Sequence, residues 1–180
     1  MFEADAERFR RAGIKVGADY QTAERSLLEE SLSPFPLDLR NDAMTMLRLY
    51  GLLFCFENSV RQLIRERLSE NVDANWWDKA IPKRIREHAE SRRDSALKNS
   101  WLEGEKSDLL QYVELGHLSD IIVARWDEFS DLLPSQHWVK QRFDEIEQSR
   151  NFVAHNRLLL PSEFARIEQY VTDWRKQIGF

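Results

Sequence analysis

The stretch NDAMTMLRLYGLLFCFENSVRQLIRERLSE (41–70) decides the fold. It holds no proline, and Leu47, Phe54, Val60, Leu63, Ile64 and Leu68 recur near helical spacing. Asn41 is placed to cap its start, and the pattern stops before Asn71-Val72-Asp73-Ala74-Asn75. This predicts one long helix over 41–70. Outward from it, Pro82 fits the first turn of a helix running to about Asn99. Leu109–Val113 reads equally as a helix turn or a short extended piece. A further helix spans 117–131, and Pro134 separates it from one at about 136–156. Pro161 opens the last, about 161–178, with Phe164, Ile167, Val171 and Trp174 as its apolar stripe. Toward the N-terminus, 3–12 and 18–31 read as short helices broken near Gly13 and Gly17, and Ser33-Pro34-Phe35-Pro36 is a clear break. Strong alternating runs are lacking, so the expected fold class is all-α. It comprises a helical bundle over 41–180 and a short helical N-terminal extension over 1–40.

The 180 residues suffice for one domain with a real core. A hydrophobic content of 42% and a charged content of 32% describe an ordinary soluble chain. No apolar run approaches the roughly 20 residues needed to span a membrane, and Met1 is followed by acidic and basic residues rather than a signal peptide. A cytoplasmic setting is expected, with no membrane partner. The one cysteine, Cys55, excludes an internal disulfide; its apolar neighbours predict a buried, inert thiol.

The net charge of −5 argues mildly against a dedicated nucleic-acid binder. Charge is uneven, however. Lys83, Arg84, Arg86, Arg92, Arg93 and Lys98 crowd one segment, interleaved with Glu87, Glu90 and Asp94. A solvated helix face with i, i+4 pairs explains that segment at least as well as an RNA-binding track. The six tryptophans are scattered rather than interleaved with basic residues, so core packing is the better reading than base stacking.

Common catalytic signatures are absent. There is no glycine-rich phosphate loop and no Gly-x-Ser-x-Gly. His88, His117 and His137 fall on different expected helices without zinc-ligand spacing, so no metal and no cofactor is expected. Glu29-Glu30 are adjacent, diverge on a helix and read as surface charge.

One short run does carry chemistry: Arg150-Asn151-Phe152-Val153-Ala154-His155. Arg suits a phosphate because its planar fork donates paired hydrogen bonds. His exchanges protons near neutral pH. Asn orients either one or binds a ligand. On an ideal helix Asn151 and His155 share a face, while Arg150 and His155 lie roughly 140° apart. They flank a groove whose other wall must come from another element or another subunit. The competing reading is a helix end with a surface Arg, a capping Asn and a half-buried His.

Arg-Asn-x-x-x-His resembles the signature of the HEPN superfamily: Arg, four to six residues, then His, often with Asn directly after the Arg. The flanks agree. FDEIEQSRNFVAHNR (143–157) gives an amphipathic approach and a basic Arg157 two positions after the His. LYGLLFCFENSVRQLIRERL (49–68), followed by WWDKAIP (76–82), resembles the opening long helix of one branch, with Glu57 and Arg61 four residues apart. The resemblance covers roughly 43–178. It implies a metal-independent endoribonuclease acting on RNA, with Arg150, Asn151 and His155 catalytic and Glu57, Arg61 and Arg157 in support. It also implies a homodimer and a toxin, antiviral-defence or RNA-processing role, with an antitoxin or regulatory partner. The alternative is a non-catalytic helical module for dimerisation, nucleotide binding or pairing with a nucleotidyltransferase. Glu57 lies beside Phe54 and Phe56, where a carboxylate needs a partner. Arg61, or Arg150 or Asn151 on the motif helix, is expected to supply it.

Overall fold

Pro36 sets the start of the long helix, four residues earlier than the sequence pattern suggests. In the computed structural model, which describes residues 26, 28–98 and 107–179, α1 runs Leu37–Asn71 and the Pro36 carbonyl accepts the Arg40 N–H at 3.0 Å. Asn41 is therefore inside α1 and not its cap; its carbonyl accepts from Thr45 Oγ1 at 3.1 Å. The remaining helices are α2 (Trp76–Ala80), α3 (Lys83–Leu97), α4 (Leu115–Ala124), α5 (Gln136–Ala154) and α6 (Pro161–Ile178). Two 3₁₀ turns, Leu109–Tyr112 and Trp126–Glu128, flank α4. The described residues contain no strand, and the chain is all-α. The readings for 3–12, most of 18–31, Asn99 and Trp101 lie outside the described residues. By contacts the chain divides into two units, Met1–Thr45 and Met46–Phe180. In the first, a helical turn at 28–32 closes with Phe35 N–H donating to the Leu32 carbonyl at 3.0 Å.

The second unit is built on the buried stripe of α1: Leu49, Leu53, Phe56, Val60, Leu63, Ile64 and Leu68. Steps of three and four residues keep these on one face. Leu47 and Phe54 do not belong to it; both are exposed. Phe54 to Val60 is six residues, a rotation that leaves them about 120° apart. Cys55 is likewise exposed, correcting the expectation of a buried thiol. The apolar residues of α1 populate two faces, and only one is covered within the described chain.

The stripe meets α5 and α6 in a ring cluster. Phe56, Phe143 and Trp174 pack edge to face, with centroids 5.2, 5.6 and 5.6 Å apart. All three rings are buried, and each contributes about 1.5–3 kcal/mol through burial alone. Trp174 Nε1 donates to Ser59 Oγ at 2.9 Å, so the indole's polar atom is met. Of the expected α6 stripe, Ile167, Val171 and Trp174 are buried and Phe164 packs against the core's edge. The helix expected over 117–131 is broken at Arg125 (φ −118°, ψ 38°), whose guanidinium donates to the Lys79 carbonyl at 3.1 Å. Beyond the break, Phe129 and Leu133 turn into the core. Leu109–Tyr112 resolves as a 3₁₀ turn opened by Asp108, whose carboxylate accepts the Leu110 N–H at 3.1 Å.

A polar clamp also fixes α5 against α6. Tyr170 Oη donates to Glu145 at 2.7 Å, with Arg166 at 3.4 Å from the same oxygen. The Tyr170 hydrogen bond holds the Glu145 carboxyl below the usual carboxylate range. Burial first, then Glu145, pushes the Tyr170 phenol above 10.0. A depressed acid stabilises the fold above its unfolded pKa and loses that contribution as pH falls through its folded value. A raised phenol contributes below its unfolded pKa and loses that as pH rises. The clamp is partly solvated, which limits its worth to about 1 kcal/mol. Tyr170→Phe is therefore expected to lower unfolding free energy by about that amount near neutral pH, measured by urea denaturation. The gap to the wild type should close below the carboxylate range and above pH ~10; a gap independent of pH would contradict the clamp.

Candidate functional site

The motif occupies the last turns of α5. Ser135 starts that helix, its Oγ accepting the Trp138 N–H at 3.0 Å. Val139, Phe143 and Ile146 then bury one face; Arg150, four residues after Ile146, continues that stripe beyond its covered part, and both Arg150 and Asn151 are exposed. Arg150 donates to Asn151 Oδ1 at 3.3 Å. The helix ends at Ala154: His155 takes the C-cap position (φ −94°, ψ 20°), and Asn156 adopts a left-handed φ of 56°. Asn tolerates that conformation better than other non-glycine residues, so it is the helix stop. His155 is exposed. The Arg157 guanidinium lies over the Phe152 ring, 5.1 Å from its centroid.

Arg150 and Asn151 line a cavity of about 90 Å³ with Glu114, Leu115 and Glu147. Glu147 is the hinge of this wall. Its carboxylate accepts the Gly116 N–H at 3.2 Å in the first turn of α4, where unpaired amides favour an anion. A Cβ on Gly116 would stand 2.7 Å from Glu147 Oε2, so the close approach depends on glycine. Among the described residues nine arginines pair with a carboxylate; Arg150 and Arg157 do not, and neither do Arg40, Arg84, Arg125 and Arg175.

Glu57 and Arg61 lie away from this cavity. Arg61 is buried on α1 and pairs with Glu57. Its Nε donates to the Leu110 carbonyl and its Nη2 to the Val113 carbonyl, each at 3.1 Å. Glu57 thus finds its partner in Arg61 and not on the motif helix. They reach the cavity only through the chain: Val113 is followed by Glu114 and Leu115, which line it. Arg65 grips the same turn through Asp108.

The basic segment of α3 is largely neutralised. Lys83 pairs with Glu87, Arg86 with Asp78, Arg92 with Glu114 and Arg93 with Asp94. It is a solvated face with ion pairs, as the interleaved acids suggest. Sequence reading did miss one constellation. His88 on α3, Glu114 and His117 on α4 each bring a ligand atom within 4.8 Å of the others. His88 and His117 are 29 residues apart, so spacing carried no hint; the Glu-x-x-His step from 114 to 117 was the only local signal. His137, in the first turn of α5, is exposed and stands apart from it.

The model of the Swt1-like HEPN family matches residues 52–179, from the middle of α1 to the end of α6. The chain belongs to that family. No curated protein and no solved structure matches it. The match covers every element of the HEPN domain described above except the first turns of α1. No helix among the described residues is long and apolar enough to cross a membrane.

Two consequences are measurable. Arg61→Ala takes the arginine's donors from the Val113 carbonyl and from Glu57 and leaves the Leu110 carbonyl only the Val113 N–H, and is expected to cost about 3 kcal/mol in chemical denaturation. Glu57→Gln keeps an acceptor for Arg61 and should cost only about 1 kcal/mol; equal losses would remove Arg61 from its central place. Gly116→Ala tests the Glu147 contact by comparing two backgrounds. In the wild type the Glu147 tip must swing aside, and the lost contact, about 1 kcal/mol, should offset the gain from alanine and leave little net change. With Glu147→Ala already present it should stabilise by about 0.5 kcal/mol through the ordinary preference of a helix for alanine.

Proposed function

We propose that this HEPN domain is a metal-independent endoribonuclease, acting as a toxin, antiviral-defence effector or RNA-processing factor. The observation that carries the reading is that two exposed guanidiniums outside any ion pair among the described residues, Arg150 and Arg157, stand within five residues in sequence of the exposed imidazole of His155. Exposed cations without an acid partner are available to phosphate oxygens. In the reaction the RNA 2′-oxygen attacks the adjacent phosphorus and the bond from phosphorus to the 5′-oxygen breaks. The products are a 2′,3′-cyclic phosphate and a 5′-hydroxyl. His155 takes the proton of the 2′-hydroxyl or delivers one to the leaving oxygen. Arg150 stabilises the charge that develops on the phosphorane-like transition state. Asn151, already bonded to Arg150, orients the guanidinium.

A single chain supplies only part of such a site. Glu114 and Glu147 beside Arg150 add negative charge, and the chain carries −5 overall. Two copies facing one cleft would set two Arg150 side chains on one phosphate and provide one histidine as base and the other as acid. We therefore propose a homodimer joined with the two motifs near its two-fold axis. The second reading is a non-catalytic module for binding or dimerisation; it is favoured by the absence of His155 from the lining of the cavity that Arg150 and Asn151 share.

Incubation with RNA in EDTA separates the two. The wild type is expected to cut, and His155→Ala and Arg150→Ala each to lose roughly 100-fold or more of the rate, with melting temperature nearly unchanged. Cleavage undiminished in both variants, or absent from the wild type, would favour the non-catalytic module.

A further inference from the structure

We infer that His88, Glu114 and His117 form a binding site for a zinc-class divalent cation, joining α3 to the start of α4. One ring nitrogen of each histidine and one carboxylate oxygen lie within 4.8 Å of one another. The two imidazoles stand edge to face with centroids 4.9 Å apart. A second observation is independent of that clustering: Nδ1 of His88 and Nδ1 of His117 are both buried with no hydrogen-bond partner. Buried polar atoms are nearly always met, and an orphaned nitrogen on each of two contacting imidazoles calls for a ligand.

The donor set selects the ion. Two imidazoles and a carboxylate suit zinc and its first-row neighbours, whereas magnesium and calcium prefer oxygen throughout. Tetrahedral bonds of about 2.0–2.1 Å set ligand atoms roughly 3.4 Å apart. The present separations need only small side-chain rotations to reach that. Three protein ligands leave a fourth position for water. The Arg92 guanidinium, on the same helix as His88, pairs with Glu114. A carboxylate has two oxygens, so Arg92 can stay bonded to one while the other takes the ion, an outer contact that orients the ligand. Glu114 also lines the cavity of Arg150 and Asn151, so an ion here shares a wall with the motif. The inference does not depend on the RNA chemistry proposed above.

The test is direct titration of the purified full-length chain, stripped of metal with a chelator and dialysed. Zn²⁺ is expected to bind with one saturating equivalent by calorimetry and to raise the melting temperature, while Mg²⁺ does neither. Co²⁺ is expected to give the visible absorption of a tetrahedral site. His88→Asn and His117→Asn should each weaken Zn²⁺ binding at least about tenfold. Glu114→Gln should do the same; it alters a half-exposed residue and leaves both rings in place, so it answers even if a histidine variant unfolds. His137→Ala should bind as the wild type does. No saturable binding, or Zn²⁺ affinity unchanged in Glu114→Gln and in a folded histidine variant, overturns the inference.

Discussion

A single buried guanidinium, that of Arg61, is the constraint on which this domain depends. A charge in the middle of an apolar stripe is tolerated only when its donors are met, and Arg61 meets them with Glu57 and the carbonyls of Leu110 and Val113. Those carbonyls belong to a short turn that buries Leu110 and Val113 in the core. Arg61 meets its inward-facing polar groups, and Arg65 with Asp108 adds a second grip from α1. Since Val113 leads directly into Glu114 and Leu115, the contacts of α1 with this turn bear on the position of the cavity wall beside Arg150.

The opposite side of that wall is set by a different kind of force. Glu147 docks on the amide of Gly116, tying the motif helix to the first turn of α4 by a charge-assisted bond. Phe56, Phe143 and Trp174 tie the same helix to α1 and α6 by apolar contact. The motif helix is thereby clamped in its body and left open at its end. Glu114 stands where these arrangements meet, between Arg92, the two histidines and the Arg150 cavity. The balance among these neighbours of its carboxylate sets the local charge.

Much of this was legible in the sequence. Pro82, Pro134 and Pro161 punctuate the helices close to where they begin, because proline fits a first turn and nothing later. The α6 stripe and the family resemblance were also readable. The start of α1 was not: Asn41 looked like a cap because its residue type allows it, yet Pro36 frees the helix to begin earlier. Leu47, Phe54 and Cys55 misled for one reason. The helix is apolar on two faces, and a hydrophobic count cannot tell which face finds a partner. The histidine cluster was invisible because it is a product of packing between α3 and α4. The roles of Arg150 and His155 rest on residue type and exposure, which a sequence suggests and a fold makes available.

The left-handed Asn156 has a consequence for how such a motif can vary between relatives. Inside a helix, each inserted residue turns everything after it by about 100°, so spacing would be held rigidly. His155 stands at the exit instead, in the C-cap position, and Asn156 turns the chain away directly after it. A lengthened or shortened interval between the arginine and the histidine therefore throws no later turn of this helix out of register. The gap of four to six residues in the superfamily signature is the latitude expected of a side chain anchored to the end of a helix.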